Sequence, residues 1–242
     1  MWRETATIYR KEVRAYLTSP MPYVFMALFA GFMAWRFFFD EETSFFVFDK
    51  ADMSRGFFFH LERYLIVLAP AVSMGQWSME TDRGTIETLL TLPIRTVSLV
   101  IAKFLAAWSL MGACLLATVP IPITVNSLGD MDWGPVLGGY FGAFLLSGGL
   151  LAFGLWVSSR SRHQIVAFVL TLLAGGLFLG MYEWAASAGS FFGPILEQLS
   201  MVTHYQEMGH GVLDLRDLAY FASVIVLFLY LNTQSVENRR YR

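Results

Sequence analysis

Apolar residues fill six long stretches of this chain, and nearly all of its charges fall in the segments between them. The stretches cover about 23–39, 61–77, 98–121, 136–157, 165–182 and 218–231. A hydrocarbon core of about 30 Å takes roughly 20 residues of helix to cross. Apolar positions follow one another continuously instead of alternating, so the pattern predicts helical spans and not the strands of a barrel. The fold class that follows is all-α: a polytopic membrane protein with six transmembrane helices, forming one domain over residues 1–242. The first apolar run is long and lacks a small-x-small cleavage site, so it is expected to remain as a span and not to leave as a signal peptide.

Three segments outside the spans have patterns of their own. In residues 2–18, Trp2, Ala6, Tyr9, Val13 and Tyr16 recur at steps of four and three, while Arg3, Arg10, Lys11 and Arg14 lie off that stripe. This predicts an amphipathic helix in the membrane interface, with a frayed basic tail as the alternative. Ser19-Pro20-Met21-Pro22 is expected to break the helix and turn the chain into the bilayer. In residues 183–216, the run Phe191 to Leu196 is too short to span and too apolar for an ordinary loop, which predicts a re-entrant or interface-lying half-helix. The third segment, 79–93, is taken up below.

Charge sets the orientation. With the N-terminus inside, Arg3, Arg10, Lys11, Arg14, Arg83, Arg95, Lys103, Arg160, Arg162, Arg239, Arg240 and Arg242 all face the cytoplasm, most of the 17 basic residues. Asp40, Glu41, Glu42, Asp49, Asp52, Glu62, Asp130, Asp132, Glu183, Glu197, Glu207, Asp214 and Asp217 mark the outer side; Arg36, Lys50, Arg55, Arg63 and Arg216 are the basic exceptions. Both termini are therefore expected in the cytoplasm, the chain crossing a bacterial inner membrane. Arg36 can snorkel to the interface beside Asp40, or contact a substrate.

Composition excludes several chemistries. A net charge of −2 offers no basic surface to nucleic acid, and the single cysteine, Cys114, rules out an internal disulfide and multi-cysteine metal sites. A phosphate loop needs a lysine after a glycine, and none of Lys11, Lys50 and Lys103 follows one, so any use of ATP falls to another chain. Apart from Lys103, near the inner end of span three, the middles of spans three to six lack ionisable groups, which speaks against an intramembrane enzyme. His204, Glu207 and His210 are spaced by three and would share a helical face suited to a metal; ordinary interface residues are the plainer reading, and no metal site is assigned. The pairs Gly138/Gly142 and Gly176/Gly180 fit close helix packing, within the chain or at a subunit seam.

The segment 79–93 is the most informative. Glu80 to Arg83 are charged or polar, Gly84 marks a break, and Thr85 is placed to cap a short helix. Ile86, Leu89 and Leu90 give that helix an apolar face and Pro93 ends it. A short crosswise helix rimmed by charge suits a groove on a soluble partner; a solvated loop is the alternative.

The run from Glu80 through Arg83-Gly84-Thr85, Glu87 and Leu90 to Pro93, followed by Lys103, resembles the signature of ABC-2 type permeases. More narrowly, the chain resembles the gliding-motility and copper-processing (nitrous oxide reductase maturation) branch. That likeness rests on Lys11-Glu12 with Ser19-Pro20, Pro70, Met74, Gly129-Asp130-Met131-Asp132, Tyr140, Ser158-Ser159, Gln164 to Phe168, and Gly211 to Asp217 with Tyr220-Phe221. The resemblance implies a non-catalytic subunit that pairs with a second permease, a copy of itself or a related six-span chain. Two ATP-binding subunits, which hold the ATP and magnesium, would dock on the short cytoplasmic helices; the chain itself would need no cofactor. The matching positions are Glu80, Asp82, Arg83, Gly84, Thr85, Glu87 and Leu90. We expect Arg83 and Glu87 to make polar contacts and Ile86, Leu89 and Leu90 to fill the partner's groove. The alternative is an ATPase-coupled scaffold that passes conformational change to a periplasmic accessory protein without moving cargo.

Overall fold

The computed structural model describes residues 2–39, 53–91, 93–185, 189–211 and 214–240, with the backbone alone at 54, 55, 90, 189, 190 and 240. Asp40, Glu41, Glu42, Asp49, Lys50 and Asp52, between the first two spans, lie outside the described residues, as do Leu92, Val212, Leu213 and Arg242. All regular structure among the described residues is helical. Six helical segments are long and apolar enough to cross a membrane: Pro20–Phe39, Gly56–Asp82, Thr96–Leu128, Trp133–Arg160, Gln164–Ala185 and Leu215–Arg239.

The helices are α1 (Trp2–Thr18), α2 (Pro20–Phe39), α3 (Phe59–Ser73), α4 (Gly75–Asp82), α5 (Thr85–Thr91), α6 (Thr96–Ala117), α7 (Pro120–Leu128), α8 (Trp133–Arg160), α9 (Gln164–Ala185), α10 (Gly189–Leu199), α11 (Met201–Gly209) and α12 (Leu215–Arg240). A π-helical turn, Ser54–Phe58, leads into α3. The hub is α8, which packs on α3, α4, α6, α9, α11 and α12. Its buried positions are rich in Gly, Ala and Ser, so neighbouring backbones come close. At Gly138 the approach leaves no room for a side chain: a Cβ there would stand 2.3 Å from the Met208 carbonyl oxygen. Gly142 likewise faces Tyr205 and Met208 of α11. This pair is therefore used inside the chain. Gly176 has nothing within 4 Å, and Gly180 faces only Trp184 of its own helix.

Proline and serine account for where the spans break. Ser19 alone separates α1 from α2, and the helix resumes at Pro20 with Pro22 still in its first turn. The expected break is thus one residue long, because N–H groups in a first turn have no intrahelical partner to lose. Span three continues past 121 but is jointed at Thr118–Val119. Pro120 has no N–H for the Leu116 carbonyl, which accepts from Val119 at 3.1 Å in a tighter turn. Span two is jointed at Met74 by a side chain from α8. Ser158 Oγ accepts from the Trp77 and Ser78 N–H groups at 3.1 and 3.2 Å and donates to the Met74 carbonyl at 2.8 Å. A hydroxyl inserted into the helical ladder in this way bends it.

Two segments differ from expectation. The last helix runs on from 231 to Arg240, with Asn232 and Val236 fully buried and Ser235 nearly so. The run 232–240 is polar but holds neither Gly nor Pro, so nothing stops the helix, and its neighbours cover the polar groups. In the segment 183–216, α10 folds back on α9 with Phe191, Phe192 and Ile195 exposed. Helix α11 instead goes inward, burying Met201, Val202, Tyr205 and Met208 against α8; the Tyr205 hydroxyl donates to the Phe58 carbonyl at 2.9 Å. Ser200 caps α11 by accepting from Val202 N–H. Cys114 is buried in the core.

Candidate functional site

Helix α4 closes on Arg83, whose N–H reaches the carbonyls of Met79 and Thr81. Gly84 follows at φ +69°, a left-handed conformation that side chains with a Cβ rarely adopt. This reversal sends the chain back into α5. The Thr85 hydroxyl does not act as a cap; it donates to the Glu80 carbonyl at 3.3 Å. Gly84→Ala is expected to cost about 1–2 kcal/mol, the penalty of a side chain in this region, read as a lowered melting temperature of the detergent-solubilised protein.

The apolar face of α5 turns onto its own chain. Ile86 is only 8% exposed and packs with Trp77, Leu99, Val100 and Val236; Leu89 lies half-buried on the same cluster. This corrects the expected division of labour, since Ile86 is spent on internal packing and is not open to a partner. The Leu90 side chain lies outside the described residues. Asp82, Arg83, Glu87 and Thr88 remain exposed, with Asp82 4.0 Å from His163. Pro93 stands between α5 and the start of α6. Among the described side chains of α5 and the turn before it, the open surface is thus polar.

Behind it lies a buried ionic node. The Lys103 side chain is 3% exposed; its Nζ donates to Glu80 Oε1 at 2.8 Å and Glu12 Oε1 at 3.4 Å and sits 5.2 Å from the Trp77 ring centroid. Lys103 rises from α6, Glu80 from α4 and Glu12 from α1, so one ammonium joins three elements. Two carboxylates stand against this one side chain, and Glu80 Oε2 is buried without a hydrogen-bond partner. Helix α1 meets α6 through this contact and through Ser98 Oγ, which donates to Glu4 at 3.4 Å. Thr5 is its buried residue, while Trp2 of the apolar stripe is 78% exposed.

The node borders a cavity of about 680 Å³ between α1–α2 and α3–α4, whose polar lining includes Lys11, Glu12, Tyr16, Gln76, Glu80 and Lys103. The Tyr16 hydroxyl accepts from the Gln76 amide, and burial pushes its phenol up to about 12, so it stays neutral.

Some members of this site lie outside the motif. Arg239, near the end of α12, donates from Nη1 to Thr81 Oγ1 at 3.0 Å, and Val236 closes the cluster around Ile86. Counted only as basic charge or tail, they gave no sign of their role; the signal was the unbroken helical composition after residue 231. Of the sequence-derived positions, the structure brings together Glu80, Ile86, Leu89 and Lys103 and leaves Asp82, Arg83 and Glu87 at the surface.

A comparison with curated proteins found no match. The family model described as ABC-2 family transporter protein matches residues 6–233, nearly the whole chain, including the segment 79–93, Glu12 and Lys103. Membership in that family makes the chain a membrane component of a transporter and implies an ATP-binding partner. Six apolar helices and this match together place the chain, as a multi-pass membrane protein, in the ABC-2 transporter family.

Proposed function

We propose that residues 79–93 receive the stroke of a separate ATP-binding subunit and pass it into the six-span bundle through Lys103. The observation that carries this is the placement of one buried ammonium between Glu80, at the head of the segment, Glu12 of α1 and span three. A push on the exposed polar face of α4–α5 reaches three elements at once through that node. Ser158, bonded to the Met74 carbonyl and to the Trp77 and Ser78 N–H groups, carries the same push from α4 to α8.

In this reading both termini and the segment face the cytoplasm of a bacterial inner membrane, as the basic residues favour. A second permease, a copy or a related six-span chain, completes the pathway, and α9 offers it an apolar face with Leu173, Leu177 and Gly176 uncovered. ATP and magnesium stay with the partner. The narrower likeness to the gliding-motility and copper-processing branch rests on the motifs named above. A cargo path through so apolar an interior suits lipid-like or peptide material. The same interior also favours the second reading, a scaffold that moves a periplasmic accessory protein and no cargo.

The test is a pull-down of the tagged chain in mild detergent, wild type beside Glu87→Arg, with ATPase activity measured on the eluate. Reversing an exposed charge at a docking face is expected to cut recovery of the ATP-binding subunit and its activity roughly tenfold or more, for a loss of about 1.4 kcal/mol or above. The variant should elute at the wild-type position, since Glu87 is exposed. Full recovery of an active partner with Glu87→Arg would sink the docking role of this face.

A further inference from the structure

At the opposite end of the bundle, α11 meets the first turn of α12, and three metal-type ligands converge there. His204, Glu207 and Asp217 each offer one ligand atom within 4.8 Å of the others. The sequence pattern grouped His204 and Glu207 with His210; the fold replaces His210 by Asp217, which comes from the next helix.

The contacts around His204 orient its two nitrogens. Its Nε2 lies 3.2 Å from the Gln198 carbonyl oxygen, an acceptor that needs a proton on that nitrogen. Nδ1 faces Asp217 Oδ1 at 2.7 Å, a hydrogen-bond distance. Asp217 is 1% exposed and its Oδ2 has no hydrogen-bond partner, while Glu207 brings a second carboxylate to the same place. Two carboxylates and one imidazole drawn to one point, with one of the oxygens buried and unpartnered, suit a divalent cation.

We propose that His204, Glu207 and Asp217 bind a divalent cation of the zinc class, with water in the fourth position. Imidazole nitrogen and carboxylate oxygen both bind zinc, whereas calcium and magnesium favour oxygen alone. The support around the ligands is that of a metal site. The Gln198 carbonyl fixes the tautomer, and Tyr220 stacks on the imidazole at 4.0 Å between centroids while its hydroxyl donates to the Leu199 carbonyl at 2.6 Å. Zinc–ligand bonds of about 2.0–2.2 Å hold ligand atoms about 3.3 Å apart, so the His204–Asp217 hydrogen bond at 2.7 Å opens slightly and Glu207 closes in. The exposed Glu207 side chain makes up the difference and gives the ion its way in. Once bound, the ion ties α11 to the start of span six, two elements whose positions would then move together.

The test uses the full chain, purified without a polyhistidine tag, stripped with a chelator and titrated with zinc chloride by calorimetry and thermal unfolding. One zinc per chain and a raised melting temperature are expected, with magnesium and calcium giving neither. Glu207→Gln, at an exposed position, should fold normally and lose roughly tenfold or more in zinc affinity; Asp217→Asn should lose the stabilisation. Absence of saturable binding, or binding that Glu207→Gln leaves unchanged, overturns the proposal and leaves His204 and Asp217 as a hydrogen-bonded pair.

Discussion

Lys103→Met is expected to cost about 3 kcal/mol of stability and, on the proposed role of residues 79–93, to abolish ATPase coupling, the largest effect of any single change at that site. Methionine matches the length of the lysine stem and keeps its packing, so the loss isolates the charge. Removing one partner of a buried ion pair typically costs about 3–5 kcal/mol, because the other charge is left without compensation. Here two carboxylates are left, Glu80 and Glu12, with side chains 23% and 17% exposed. That residual exposure lets water recover part of the loss, which places the expectation at the lower end. Glu12→Gln should be milder, about 1 kcal/mol, since it keeps the 2.8 Å contact to Glu80 and removes the longer one. Thermal unfolding in detergent measures both, and partner-stimulated ATPase measures the coupling. A Lys103→Met protein as stable and as active as wild type would remove the node from the mechanism.

How much of this was open to the sequence depends on what kind of force made each feature. The six spans were legible because a bilayer dictates both length and composition, and the described helices contain every predicted stretch. The chain past 231 was not, because hydropathy reads Asn232, Ser235 and Arg239 as solvent-seeking and cannot know that α4 and α5 lie against that end. Helix α11 was hidden for the opposite reason. Its apolar residues at 201, 202, 205 and 208 have helical spacing, yet they sit in a segment whose mixed polarity suggested an interface. The motif from Glu80 to Pro93 was plain, and so was Lys103. The direction of Ile86 was not, since periodicity defines a face and says nothing of what covers it. The same limit applies to His204: spacing within one helix pointed to His210, while its actual neighbour, Asp217, is 13 residues away on another helix.

Gly138→Val is expected to prevent folding to a monodisperse protein, with Gly138→Ala losing about 2–3 kcal/mol. Overpacking a close contact typically costs about 1–3 kcal/mol per added group, and relief comes when a flexible side chain can move aside. Neither neighbour here is a flexible side chain. The added Cβ would meet the Met208 carbonyl oxygen at 2.3 Å and the Gly211 Cα at 3.3 Å, both backbone. Helix α11 would have to retreat bodily, withdrawing Met208 and Tyr205 from the core and breaking the Tyr205–Phe58 hydrogen bond. Size-exclusion profiles and thermal unfolding measure the outcome, and Gly176→Val is the control. Its glycine has nothing within 4 Å, so the substitution is expected to change the stability of the isolated chain by about 0.5 kcal/mol or less. The two pairs of small residues look alike in sequence and differ in what they face. Gly138/Gly142 is spent on α11, whereas Gly176/Gly180 meets no other helix among the described residues. A Gly176→Val protein that folds normally but no longer assembles into an active complex would show that α9 is where that second chain packs.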